Sequence, residues 1–198
     1  MMKILYLMRH GETVFNVRKK KQGWCDSPLT ENGIYQAKVA SEYFKKMNIS
    51  FDHVFSSTSE RACDTCELVA SLPYMRTKGL KEWNFGLFEG ESEELNPPLP
   101  YGDFFVTYGG EGEEEFRNRT VKACKEIMEQ CEGVVLAVSH GAFCAQFRLD
   151  YLLKNNSEHR NRIGNCCIFK YKYENGEFTL LGEISHEEQI KTIQTNLL

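Results

Sequence analysis

The chain has 198 residues, 41% of them apolar and 26% charged, and a formal net charge of −4. That balance belongs to an ordinary globular chain able to build one substantial core, and it excludes the low hydrophobicity of intrinsic disorder. It gives no long-range basic field, so a nucleic-acid backbone is not an expected partner and any anion site has to be local.

The first element is the apolar run Ile4-Leu5-Tyr6-Leu7-Met8, which reads as a buried strand and runs straight into Arg9-His10-Gly11. It is too short for a signal-peptide core and has no small-residue cleavage site behind it. No stretch of the chain approaches the roughly 18 apolar residues that span a bilayer. The expected address is cytoplasmic, with no membrane partner. Thr30 can cap a helix whose apolar positions Ile34, Ala37, Ala40, Tyr43 and Phe44 recur at helical spacing, ending near Met47. His53-Val54-Phe55 is a short strand closed by Ser56-Ser57, and Ser59 opens a helix over Glu60 to Ser71 with Ala62, Cys66, Val69 and Ala70 inward. Met75 to Leu80 reads as a third strand, and a stretch rich in Gly, Pro and Glu then runs irregularly from Asn84 to about Gly112.

A helix is expected from Glu113 to Cys131, followed by Val134 to Val138, a continuous apolar run that reads as a fully buried parallel strand. It ends at Ser139-His140-Gly141. Another helix, Ala142 to Leu153, leads through the basic turn His159-Arg160-Asn161-Arg162 to two closing strands, Cys167 to Tyr173 and Phe178 to Ile184, joined around Asn175-Gly176. Strands alternating with helices point to a single domain over residues 1–198, a three-layer α/β/α sandwich whose mostly parallel sheet carries an antiparallel edge. The exposed edge of the last hairpin is a plausible homodimer surface. The cysteines at 25, 63, 66, 124, 131, 144, 166 and 167 mostly fall inside helices or strands beside apolar residues, so reduced thiols are expected. Cys63 and Cys66 form a C-x-x-C without a second pair, a spacing that also fits one face of a helix.

Ligands of such sheets collect at the carboxyl ends of the strands, and there the chain puts both Arg9-His10 and His140. With Arg61 at the start of a helix and Glu82, these residues are the equipment for transferring a phosphoryl group to water through a protein nucleophile. A neutral imidazole nitrogen can attack phosphorus, planar Arg forks suit the charged phosphoryl oxygens, and a carboxylic acid kept protonated by a water-poor site can supply the leaving oxygen with its proton. A metal site on His10, His140 and Glu82 is the competing reading. It lacks H-E-x-x-H or any comparable ligand cluster, and Arg9 would repel a divalent cation.

These residues resemble the histidine phosphatase superfamily, the branch that includes cofactor-dependent phosphoglycerate mutase. Arg9-His10-Gly11-Glu12-Thr13 with Asn16 looks like its signature, continued by Gly23, Asp26, Pro28-Leu29-Thr30, Gly33 and Gln36-Ala37. Ser56-Ser57-Thr58-Ser59-Glu60-Arg61-Ala62 with Thr65 resembles the second block, with Thr58 and Ser59 where Pro and Leu are usual. Leu80, Glu82, Gly86, Glu89 and Gly90 match the proton-donor block, Gly110-Glu111 with Arg119 a weaker one, and Ser139-His140-Gly141 the last. The resemblance spans roughly residues 3 to 155. It implies that His10 is the phosphorylated nucleophile, that Arg9, Arg61 and His140 line the phosphate pocket beside Gly141, and that Glu82 is the general acid. By the same resemblance Asn16 contacts the phosphate and Gln22-Gly23 meets the rest of the substrate. No metal or organic cofactor is implied.

Fold and nucleophile do not settle the reaction. In the family, mutases carry a long basic insertion between the proton-donor block and the Gly-Glu block, whereas Glu91 to Gly110 holds Glu91, Glu93, Glu94 and Asp103 but no Lys or Arg. A phosphomonoester hydrolase acting on a small phosphorylated substrate is therefore the expectation. A mutase and a catalytically silent module for phosphorylated ligands are the alternatives. Tyr101 and Phe104-Phe105 in the same stretch either form a lid or pack on the sheet. Arg160 and Arg162 either reach a second anionic group or are a solvated turn.

Overall fold

The computed structural model describes residues 3–155 and 163–195. β1 (Lys3–Arg9) is followed by a one-turn helix α1 (Val14–Val17), then α2 (Glu31–Lys46), β2 (His53–Ser57), α3 (Glu60–Val69) and β3 (Met75–Thr77). After four short 3-10 turns come α4 (Glu113–Gln130), β4 (Val134–Ser139), α5 (Gly141–Lys154), β5 (Ile168–Glu174), β6 (Glu177–Ile184) and α6 (His186–Gln194).

The six strands form one sheet in the order β3-β2-β4-β1-β5-β6. β3, β2, β4 and β1 run parallel, and β5 and β6 close the edge antiparallel. Strand alternation splits the core into two layers. Leu5, Leu7, Val135, Ala137, Phe169 and Tyr171 face α4 and α5, while Tyr6, Met8, Leu136, Val138 and Ile168 face α2 and α3. β4 is apolar on both faces because both are covered.

Thr30 caps α2 as expected, its hydroxyl accepting from Gly33 N. Several details differ from the sequence reading. Ile34 is exposed and lies off the buried stripe of α2, which consists of Gly33, Ala37, Val39, Ala40, Tyr43 and Phe44. Ser59 occupies the N-cap of α3 without making a side-chain cap bond, and that helix stops at Val69 rather than Ser71. β3 covers only Met75–Thr77, since Thr77 accepts from Gly79 N and turns Lys78–Leu80 into a 3-10 turn. α6 has a full capping box on Ser185 and Glu188, a signal the sequence reading passed over. No helix among the described residues is long and apolar enough to cross a membrane.

Candidate active site

The parallel pairing of β1 with β4 sets Arg9 beside Ser139, so the residues that follow, His10 and His140, emerge at the same sheet edge. His10 is pinned by its backbone: its N–H donates to Ser139 O at 3.0 Å, and its carbonyl accepts from Asn165 Nδ2 at 3.2 Å. Its ring is oriented as firmly. Nδ1 lies 2.7 Å from Gly11 O, a carbonyl that can only accept, so Nδ1 carries the proton. Nε2 is then the lone-pair nitrogen, and it accepts from Arg61 Nε at 3.2 Å. Burial, followed by the charges of Arg61 and Arg9, holds the His10 pKa well below 6.5, which keeps the imidazole neutral.

Arg61, in the first turn of α3, is fully buried. Its Nη1 donates to Cys25 O at 3.0 Å and Asp26 Oδ1 at 2.9 Å, and Nη2 to Gln22 O at 3.1 Å and Gly23 O at 2.9 Å. The fork therefore clamps the 22–26 loop, and only Nε faces His10. His140 occupies the N-cap position of α5 without a side-chain cap bond, its ring centroid 5.3 Å from that of His10. Ser57 Oγ lies 2.8 Å from His140 Nε2 and also accepts from Ser59 N at 3.3 Å. A donating Ser57 hydroxyl puts the His140 proton on Nδ1, a buried atom with no hydrogen-bond partner among the described residues. Burial first, then Arg61 and His10, holds this ring's pKa well below 6.5 as well.

Glu82 follows the Lys78–Leu80 turn and points into the N-terminus of α5. Its carboxylate accepts from Ala142 N at 2.8 Å, Phe143 N at 2.9 Å and Trp83 N at 2.9 Å. These donors and the nearby Arg61 and Arg9 favour the charged form, yet complete desolvation outweighs them and the pKa is raised above 4.5. Behind Glu82, Arg119 donates to the carbonyls of Gly79, Lys81 and Glu82 at 2.8 to 3.0 Å while paired with Glu111. That gives the Gly-Glu block its physical role: it fixes the backbone that carries Glu82.

Arg9, His10, Asn16, Gln22, Glu82 and Gly141 line one cavity of about 320 Å³. Arg9 Nη1 donates to Ile163 O at 2.6 Å, and a Cβ on Gly141 would lie 3.1 Å from Arg9 Nε, so the missing side chain leaves room for the guanidinium. Asn16 Oδ1 accepts from Thr13 N and Asn165 Nδ2, which leaves its amide N–H groups for the cavity. Gln22 is locked between Thr13 and Ser27. Arg61 and His140 lie behind the floor rather than in its wall. Gly23 is also behind it: its N–H donates to Glu89, its carbonyl holds Arg61, and a Cβ there would sit 2.1 Å from Trp83 O.

The sequence reading missed part of the wall. Lys20, Lys21, Glu93, Asn96 and Tyr101 line the cavity as well, and Asn165 holds both His10 and Asn16. Lys21 sits in a run of lysines that reads as a solvated face, yet it is 3% exposed. In the 91–110 stretch, Phe105 is fully buried against Trp83, Phe85, Phe88 and Tyr101, so its aromatics pack as core while Glu93, Asn96 and Tyr101 face the cavity. Arg160 and Arg162 lie outside the described residues. Among the described residues, no group of three or more His, Cys, Asp or Glu could hold a metal ion. All eight cysteines are free thiols, seven of them buried.

Comparison with known proteins adds three findings. The sequence profile described as the histidine phosphatase superfamily (branch 1) matches residues 5–183. A protein of Proteus mirabilis named probable phosphoglycerate mutase GpmB is 31% identical, covering 92% of this chain and 94% of its own. Two solved structures superpose over nearly their full lengths. A phosphoglycerate mutase from Bacillus anthracis does so at a TM-score of 0.82 with 28% identity, covering 96% of each chain. A phosphoserine phosphatase from Entamoeba histolytica, in complex with 3-phosphoglyceric acid, does so at 0.76 with 28% identity, covering 94% of this chain and 99% of its own.

Proposed function

The chain belongs to branch 1 of the histidine phosphatase superfamily, and we propose that within it the protein is a phosphomonoester hydrolase that works through a phosphohistidine on a small phosphorylated metabolite. The observation that carries this reading is the state of His10, a neutral ring with Nδ1–H held by Gly11 O and the Nε2 lone pair at the cavity floor.

In the proposed reaction Nε2 attacks phosphorus and forms the N–P bond as the ester P–O bond breaks. Nδ1–H stays on the ring, where Gly11 O stabilises the cationic phosphoimidazole. Glu82, whose pKa burial raises, acts as the general acid and gives a proton to the departing alkoxide. Once Nε2 is bonded to phosphorus, Arg61 Nε–H loses its acceptor and, with its fork still clamped, is left to donate to a phosphoryl oxygen. Arg9, the Asn16 amide and His140 Nδ1–H take the remaining oxygens. A water then attacks phosphorus on the opposite side from Nε2, yields its proton to the Glu82 carboxylate, and releases phosphate with His10 neutral again.

Hydrolysis is favoured over mutase chemistry because the wall from Glu91 to Gly110 brings acids and aromatics but no Lys or Arg to the cavity. The mutase reading is supported by the names of the Proteus mirabilis relative and of the Bacillus anthracis structure. Phosphate release from a phosphomonoester panel, measured with a metal chelator present for the native chain and His10→Ala, separates them. Chelator-resistant hydrolysis abolished in the variant supports the hydrolase. Interconversion of phosphoglycerates primed by a bisphosphate, without phosphate release, supports the mutase, and silence in both assays supports a binding module.

A further inference from the structure

The carbonyl that orients the His10 ring is itself held from α2. Gly11 O, which accepts from His10 Nδ1 at 2.7 Å, belongs to the Gly11–Glu12 peptide, and the N–H of that same peptide, Glu12 N, donates to Gln36 Oε1 at 2.9 Å. In a trans peptide the C=O and N–H are coplanar and point in opposite directions, so a partner on the N–H fixes where the carbonyl aims. His10 Nδ1–H, the peptide and the Gln36 amide therefore form one hydrogen-bonded chain, running from the cavity floor into α2.

Close approach of two glycines builds this contact. A Cβ on Gly11 would lie 2.5 Å from Gly33 O, and one on Gly33 would overlap Glu12 O, so the first turn of α2 can press against the 11–12 backbone. Thr30 bolts the join: its hydroxyl donates to Glu12 Oε1 at 2.7 Å and its N–H to Glu12 O at 2.9 Å. Gln36 lies three residues beyond Gly33 and so on the same side of the helix, which brings its amide to Glu12 N. Thr65 does a different job. Its Oγ1 accepts from Gly11 N at 3.0 Å and holds the peptide before Gly11, not the one whose carbonyl meets Nδ1.

We propose that Gln36 is a positioning residue for the phosphoryl acceptor: through the Gly11–Glu12 peptide it fixes the plane and the tautomer of the His10 ring, keeping the lone pair on Nε2. The inference rests on His10 as the nucleophile of the proposed reaction. As phosphorus bonds to Nε2 the ring becomes cationic, and a chain already aligned polarises from Nδ1–H through the peptide to Gln36 Oε1. Without that acceptor the peptide is free to tilt, Gly11 O no longer selects Nδ1–H, and a ring protonated on Nε2 has no lone pair for phosphorus. Mere docking of α2 is the competing role for Gln36, and it predicts a loss of stability with the ring unchanged.

The test reads the ring directly. In protein labelled with 15N-histidine at about pH 8, above the ordinary imidazole range, the His10 nitrogens, assigned by their absence in His10→Ala, should show Nδ1 protonated and Nε2 bare. Gln36→Met keeps the length of the side chain but offers Glu12 N–H no oxygen. It should turn the His10 signals into a tautomer mixture and lower kcat on a phosphomonoester about ten- to a hundredfold, the effect that outer partners of an oriented imidazole have in metal sites, with little change in KM. Gln36→Glu, which keeps an oxygen for Glu12 N–H whether ionised or not, should restore the single tautomer. Ser41→Ala removes a different hydrogen bond of the same helix, to Val69 O, and should leave ring and rate as they are. Should Gln36→Met fail to fold, Gln36→Asn, one methylene too short to reach, gives the same reading. A native ring protonated on Nε2, a single tautomer that survives loss of the acceptor, or a mixture produced equally by Ser41→Ala would overturn the proposal. Because the tautomer is read without substrate, a protein that releases no phosphate yet loses its tautomer in Gln36→Met counts against the hydrolase reading and for Gln36, whereas native rates in Gln36→Met count against Gln36 alone.

Discussion

Arg61 gives His10 a single N–H and spends its other contacts on the loop in front of it. Nε meets His10 Nε2 at 3.2 Å, while the two terminal nitrogens bind Gln22, Gly23, Cys25 and Asp26. One side chain is thus both partner to the proposed nucleophile and keystone of the 22–26 loop. Removing it strands Asp26 and three carbonyls, so Arg61→Ala should cost about 3–5 kcal/mol of stability as well as activity. Arg61→Lys should recover little of either, because an ammonium cannot span the same five acceptors. Urea denaturation of both variants beside kcat tests this, and a stable, inactive Arg61→Ala would contradict the keystone role.

Both site imidazoles are held well below 6.5, their usual value. A depressed folded-state pKa means the unfolded chain binds more protons below 6.5. The contribution to stability is therefore complete above that pH and lost as pH falls through the folded-state values. The slope should reach about 1.4 kcal/mol per pH unit for each ring in that window. Glu82, raised, works in the opposite sense: its contribution is complete below 4.5 and lost as pH rises through its folded-state value. Stability measured from pH 7 to 5 should fall, and His140→Gln should flatten the curve; an unchanged slope in that variant would show that the ring titrates normally.

If Glu82 protonates the leaving oxygen, its removal matters in proportion to how badly that oxygen needs a proton. Glu82→Gln should reduce kcat on glycerol 3-phosphate by about 10²–10⁴ and on p-nitrophenyl phosphate much less, since nitrophenolate leaves unaided. The amide also turns an N–H₂ towards backbone donors, so a stability loss of about 1–3 kcal/mol should accompany the kinetic effect. Equal rate losses on the two esters would remove Glu82 from the role of acid.

Glu89 never touches the cavity, yet its carboxylate accepts from the N–H groups of Gly23, Trp24, Cys25 and Phe85 at 2.7 to 3.1 Å. Glu89→Gln replaces one of its two acceptors by a donor. We expect a loss of about 2–3 kcal/mol, together with a raised KM as the 22–25 loop loosens beneath Gln22. A melting temperature within a degree of the native value would show that the loop holds its shape without it.

The floor of the site could be read from residue order because it is local to strand ends: Arg9 and His10 after one apolar run, Ser139 and His140 after another. Pairing those strands in parallel brings them together with no further information. The wall could not be read this way. Lys21 looks solvated in a Lys-rich run and becomes buried only because residues 20–21 pair with Gly90, Glu91 and Ser92, some seventy residues away. Asn165 reaches His10 and Asn16 from the far end of the chain. α6 is announced locally by its Ser185–Glu188 capping box, whereas helical spacing alone does not distinguish the edge of an apolar stripe, where Ile34 lies, from its centre.

The segment carrying Glu93, Asn96 and Tyr101 is moored through Phe105, Phe104 and Tyr108 to Phe88 and Trp83, whereas His10 and His140 follow strands of the sheet and Arg61 sits in the first turn of α3. The proposed phosphorus chemistry and part of the cavity wall consequently sit on separate stretches of chain. Mutations among residues 91–101 can reshape the guest without disturbing the phosphorus chemistry, provided the aromatic mooring stays intact.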